Sequence, residues 1–121
     1  MAFIREGYSG GRVLANSDGD MIREGVSCGY VVVSIDGEWI REGAAGGAAL
    51  AYVDGDLIRN PLGESVIAVI DGDYIRTYVS GEVLFYIDGD ATEMEKAALA
   101  IAVMPQAPGQ TVMPKELSLL V

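Results

Sequence analysis

Short apolar runs alternate with turn signals at a constant spacing along this chain. One phrase recurs: an apolar run, then Asp-Gly and an acidic residue, then one variable residue, then Ile-Arg. Its clearest copy is AYVDGDLIR, at 51–59. Asp-Gly-acid stands at Asp18-Gly19-Asp20, Asp36-Gly37-Glu38, Asp54-Gly55-Asp56, Asp71-Gly72-Asp73 and Asp88-Gly89-Asp90, in steps of 18, 18, 17 and 17 residues. Ile-Arg stands at Ile4-Arg5, Ile22-Arg23, Ile40-Arg41, Ile58-Arg59 and Ile75-Arg76, in steps of 18, 18, 18 and 17. A fixed short period over most of a chain is the mark of a repeat architecture.

Each unit reads as a β-hairpin. Asp-Gly between alternating apolar runs predicts a type I′ turn, which needs positive φ at both central residues; glycine supplies this freely and Asp tolerates it. First strands are predicted at 13–17, 31–35, 49–53, 66–70 and 83–87, and second strands at 20–24, 38–42, 56–60 and 73–78. Alternation puts Val33, Ala51, Ala68 or Phe85 on one face, with Ile35, Val53, Ile70 or Ile87 and the Ile of Ile-Arg. The opposite face would carry Val32, Leu50, Ile67 or Leu84 and, beyond them, the Arg. Apolar residues on both faces predict first strands buried on both sides. The small residues Ala15, Ala51 and Ala68 suit the crowded centre of a closed ring.

The ends of the pattern predict closure. Ile4-Arg5 has no hairpin before it, and Asp88-Gly89-Asp90 has no Ile-Arg after it. Four hairpins are complete and one is split, so the strand at 2–6 should pair with the strand at 83–87, removing the sheet edges. The fold class is therefore all-β: a closed, pseudo-five-fold ring of hairpins over 1–90, followed by a helical segment over 91–121. In that segment Thr92-Glu93-Met94-Glu95 is a capping-box pattern that opens a helix over 92–104. From Ala97 to Met104 this helix is apolar on nearly every side, so it is buried or meets a partner, and one open end of the ring is its expected seat, as a plug. Residues 105–111 read as an irregular connection. Residues 114–121, with Leu117, Leu119, Leu120 and Val121, read as a short closing helix that packs on the ring or forms a contact between copies.

Composition narrows the partners. The chain has 121 residues, 50% of them apolar, enough for one compact core. Its net charge of −10 makes nucleic acid a poor partner. Ten of the 18 acidic residues lie in the Asp-Gly-acid turns, so the acidity belongs to the repeat and should gather on one rim. With no histidine, the usual neutral-pH acid–base group and the commonest metal ligand are missing. The one cysteine, Cys28, can form no intramolecular disulfide and has no imidazole to activate it. The start, MAFIREGYSG, lacks the apolar core of a signal peptide, and no run has the length of a membrane helix, so the expected location is cytoplasmic.

Three sets of residues are candidates for binding. The acidic turns offer carboxylates to divalent cations, but they lack the alternating ligands of a calcium loop, and Asp is ordinary turn chemistry. Arg5, Arg23, Arg41, Arg59 and Arg76 could hold an anion bidentately, or could each pair with an acid of its own or the next repeat, such as Asp20, Glu38, Asp56 or Asp73. The variable residues Phe3, Met21, Trp39, Leu57 and Tyr74, with Tyr52 and Tyr86, form an apolar and aromatic set on the outer face, suited to a sugar or peptide platform or to packing between hairpins. Trp39, the single tryptophan, breaks the repeat's own pattern. The Gly-rich loops follow no phosphate-loop pattern.

A cyclic hairpin repeat with Asp-Gly turns and Ile-Arg strands resembles the bacterial five-fold β-flower proteins, over residues 2–90. The resemblance implies the ring fold and brings no activity, cofactor or catalytic residue with it. The functional expectation is a non-enzymatic structural or protein-interaction module that self-associates through its apolar tail. The alternative is a small-ligand or divalent-ion protein using the acidic rim or the arginines. A further reading builds an enzyme site from the symmetry-breaking residues Trp39, Cys28 and Tyr78. Against an enzyme, a symmetric repeat spreads like residues apart, whereas catalysis needs unlike groups converging. Deleting residues 1–6 should expose the edge at 83–87 and cause unfolding or aggregation, read by solubility and thermal melting; a truncated protein as stable as the parent would refute closure.

Overall fold

The computed structural model describes residues 1–26, 29–44, 46–62 and 64–104. Ten strands form one antiparallel closed barrel: β1 (Phe3–Glu6), β2 (Val13–Asp18), β3 (Met21–Glu24), β4 (Val31–Asp36), β5 (Trp39–Glu42), β6 (Ala49–Asp54), β7 (Leu57–Arg59), β8 (Val66–Asp71), β9 (Tyr74–Arg76) and β10 (Val83–Asp88). Each strand pairs with its neighbours in sequence, and β1 closes the ring on β10 with Ile4 opposite Ile87 and Arg5 opposite Tyr86. Tight turns gather on one rim, and the longer loops joining successive hairpins gather on the other.

The tight turn differs from the expected one by a residue. Asp18 pairs with Met21, Asp36 with Trp39, Asp54 with Leu57 and Asp71 with Tyr74, so the loop is Gly-acid and not Asp-Gly. Glycine takes the first central position, with φ of 60–64° at Gly19, Gly37, Gly55 and Gly72. That conformation strains any L side chain. The Asp is thereby left as the last residue of its strand, with its side chain on the sheet face.

A second departure is a bulge repeated in every hairpin junction. Ile4 lies opposite Ala15 but Arg5 opposite Val13, and the same slip recurs at Ile22/Arg23, Ile40/Arg41 and Ile58/Arg59. Leu14, Val32, Leu50 and Ile67 are the extra residues. Strict alternation would send them to the outer face beside the arginines. The bulge instead lets them pack, half-buried, against the core.

Inside the ring, Ile4, Ile22, Ile40, Ile58 and Ile75 are fully buried, with Ala15, Val33, Ala51 and Ala68 beside them. The bore holds one helix, α1 (Glu93–Val103), which begins at the N-cap Thr92 with both bonds of the capping box formed. It does not plug one end, as its apolar surface suggested; it threads the ring. Near its start, Lys96 Nζ donates to the Gly72 carbonyl at 2.8 Å, and Thr92 lies beside Gly19 and Gly37 on the turn rim. Near its end, Ala102 and Val103 lie beside Leu14, Tyr30 and Val32 at the loop rim. Dimensions fit this placement. A six-residue strand is about 20 Å long and, tilted as barrel strands are, about 15 Å tall; an 11-residue helix is about 16 Å long. The run Ala97 to Ile101 is buried on every side because the barrel surrounds it. Ala15, Ala51 and Ala68 on the strands and Ala97, Ala98 and Ala100 on the helix are all buried in this one core.

The first repeat is the exception inside. Ser17 stands where the other repeats carry Ile35, Val53, Ile70 and Ile87, and its Oγ accepts the Ala2 N–H at 2.9 Å. The adjoining Asn16 is buried and donates from Nδ2 to the Gly25 carbonyl at 2.7 Å. The expected helix over 114–121, and Cys28, lie outside the described residues. Replacing Ala68 by Leu should overfill the space between β8 and α1 and cost about 1–3 kcal/mol, measured by denaturant unfolding; an unchanged midpoint would mean that the helix does not occupy the bore.

Candidate functional site

The five repeated arginines are all placed by one device. Each stands on the outer wall, diagonal to the Asp that ends the preceding strand of its hairpin. Nε donates to that Asp: Arg23 to Asp18 at 3.1 Å, Arg41 to Asp36 at 2.8 Å, Arg59 to Asp54 at 3.2 Å, Arg76 to Asp71 at 2.8 Å, and Arg5 to Asp88 at 2.9 Å across the ring closure. Nη1 donates to a loop carbonyl: Gly11 from Arg5, Gly29 from Arg23, Gly47 from Arg41 and Gly81 from Arg76. Gly11, Gly29 and Gly47 have no room for a Cβ, which would strike the carbonyl of Glu6, Glu24 or Glu42. The partner is thus the first acid of each turn, and not Asp20, Glu38, Asp56 or Asp73. These pairs are partly exposed, and each contributes about 0–1 kcal/mol. The arginines are distributed around the wall, one per hairpin junction, and do not converge on a common point.

The second acids project from the turn rim around the start of α1. Among the described residues no three His, Cys, Asp or Glu side chains gather closely enough to hold a metal ion. One pair of carboxylates does meet: Glu93, in the first turn of α1, approaches Asp56. Burial and this shared hydrogen bond with Asp56 raise the Glu93 pKa, against the opposing pull of Lys96. Sequence reasoning missed this pair because nothing local links residues 37 positions apart.

The outer wall carries a third pattern. Trp39 packs on Tyr52 with ring centroids 5.0 Å apart, and Tyr74 on Tyr86 at 5.5 Å. Both pairs cross the junction between neighbouring hairpins. Trp39 therefore lies within the wall and away from the loops. At the junction of β3 and β4 the pair is Met21 and Ser34, and a hollow of about 400 Å³ opens there, lined also by Asp20, Ile35, Asp36 and Arg41. The signal for it was present in the sequence: Ser34 stands where Tyr52, Val69 and Tyr86 stand in other copies.

The loop rim carries exposed apolar side chains among exposed glutamates, Glu6, Glu24, Glu42, Glu64 and Glu82. Tyr8, Val26, Tyr30, Leu62, Tyr78 and Val79 are exposed there, Leu62 at 78% and Val79 at 96%. They come from four of the five loops. Their common location is a product of ring topology, since each loop joins one hairpin to the next at the same end.

A family model described as 6-fold beta flower protein matches residues 4–114. No curated protein and no solved structure matches the chain. The match corrects the resemblance on two points. The family it supports is the six-fold one, so the five-fold count, made on copies within this chain, is not supported as the family's. The match also runs through α1, which the resemblance had left outside. Among the described residues no helix is long and apolar enough to cross a membrane.

Because the Glu93 pKa is raised in the fold, its ionised form opposes folding as pH rises through that value. Glu93→Gln should raise the melting temperature at pH 7, and the difference should vanish as pH falls below the carboxylate range. Melting curves from pH 3 to 8 test this; a constant offset across the range would remove the coupling to Asp56.

Proposed function

The chain belongs to the 6-fold beta flower family, and from that premise we propose that it is a non-enzymatic interaction module that self-associates through its loop rim. One observation carries this reading: large apolar side chains stand exposed together on that rim, which is where apolar surface marks a contact between proteins. Tyr8, Tyr30 and Tyr78 add flat, amphipathic area of the kind that interfaces favour. The last turn of α1 ends on the same rim. The sequence beyond Met104 holds further apolar residues, Leu117, Leu119, Leu120 and Val121.

The residues that break the rest of the surface support the same reading. The repeated arginines are held in like pairs with aspartate. The turn rim, with its paired acids, is the more acidic end; the loop rim presents tyrosine and aliphatic groups between single glutamates, whose repulsion added salt would screen. Copies would therefore meet loop rim to loop rim, a self-complementary arrangement that closes as a dimer. A net charge of −10 opposes association at low salt, so added salt should strengthen it.

Light scattering should give a mass above that of one chain, rising further with salt. Truncation after Met104, or the double change Leu62→Asp with Val79→Asp, should return the protein to a monomer. A wild-type protein that stays monomeric at every concentration and salt level would defeat the proposal.

A further inference from the structure

The outer wall repeats one sandwich at every hairpin junction. A residue of the longer strand stands between the variable residue of one neighbour and the arginine of the other. Tyr52 stands between Trp39 and Arg59, Val69 between Leu57 and Arg76, and Tyr86 between Tyr74 and Arg5. Asn16, between Phe3 and Arg23, donates to the Gly25 carbonyl. At the remaining junction the central residue is Ser34, between Met21 and Arg41. The two outer layers are present and the filling is missing, which is why the hollow of about 400 Å³ lies there.

Its walls are built for a ring. Arg41 is held by Asp36 at 2.8 Å and by the Gly47 carbonyl at 3.3 Å, so its guanidinium is oriented before anything binds. A guanidinium face and a methionine sulfur are both good partners for an aromatic ring. Ser34 is only 6% exposed, and its hydroxyl makes no hydrogen bond to any described residue, although it lines the hollow. A hydroxyl that opens on a hollow, with both donor and acceptor capacity left over, is a place for a ligand's polar group. At the mouth, Asp20 forms no ion pair among the described residues, whereas Asp36 is engaged by Arg41.

We propose that this hollow binds a small aromatic amine. The ring lies between Met21 and Arg41, in the place that Tyr52 and Tyr86 take elsewhere. A ring hydroxyl reaches Ser34, and the ammonium group lies toward Asp20. This site is separate from the loop rim and does not depend on self-association.

The test uses the full chain and tyramine, with neutral 2-(4-hydroxyphenyl)ethanol as the charge control, followed by saturation-transfer NMR and calorimetry. Tyramine should bind in the millimolar range and more tightly than the neutral alcohol. Ser34→Tyr fills the slot from within and should weaken tyramine by about tenfold or more without lowering the melting temperature. Met21→Ala, which keeps the slot open, should weaken it several-fold. Asp20→Asn should reduce tyramine binding and leave 2-(4-hydroxyphenyl)ethanol unchanged. Absence of tyramine binding to the wild-type protein would overturn the proposal. So would undiminished binding by a folded Ser34→Tyr variant or by Met21→Ala.

Discussion

A closed ring of ten strands encloses more space than the side chains of its own inner face can fill. Eight strands make a barrel whose interior is just closed by side chains, and each added strand widens it. Here the surplus is taken up by α1, and much else follows from that. The helix must be smooth, so it presents Ala97, Ala98 and Ala100. The strands must leave room, so three of the innermost positions are Ala15, Ala51 and Ala68. The isoleucines of the Ile-Arg pairs complete the packing between helix and sheet. A protein interior tolerates few voids, and small residues on both sides meet that demand through close backbone approach.

The wall is held by a different interaction. Each Asp–Arg pair links two adjacent strands, and the same arginine reaches on to a loop carbonyl. One guanidinium thus ties a strand end to a loop. Individually these contacts are weak, but they recur in every hairpin, including the split one through which Arg5 and Asp88 close the ring. Repetition makes the register consistent around the ring. It also commits the arginines to structure, and leaves the places where the pattern breaks as the informative ones. Ser17 breaks it toward the interior, where β2 is tied to Ala2, and Asn16 breaks it on the other face, where it bonds the Gly25 carbonyl. Ser34 breaks it toward solvent, and the wall opens there.

The two ends of the barrel differ in chemistry for a topological reason. Tight turns take glycine and acids, because two residues must reverse the chain and remain hydrated. The joining loops are longer and free to carry tyrosine, leucine and valine. An up-and-down ring puts all turns of one kind at one end. A rim of paired acids and a rim of mixed apolar and acidic residues therefore result from summing five local preferences, with α1 running from the first to the second.

The sequence by itself determined the repeat, the strands, the closure partner and the capped helix, because each rests on local periodicity or turn chemistry. Asp18 to Arg23, for example, spans one hairpin, and its spacing is readable once the glycine is seen as the first loop residue. What the tertiary structure decided was everything that depends on distance around the ring. The bulge at Val32 turns an outward position inward, and alternation alone cannot foresee a slip in pairing. The path of α1 through the bore depends on the barrel's width, which follows from strand number and tilt and from no single segment. The meeting of Glu93 with Asp56, the gathering of Tyr8, Tyr30 and Tyr78 on one rim, and the slot between Met21 and Arg41 likewise join residues from different hairpins. A period in sequence tells which residues are equivalent; only closure in space tells which become neighbours.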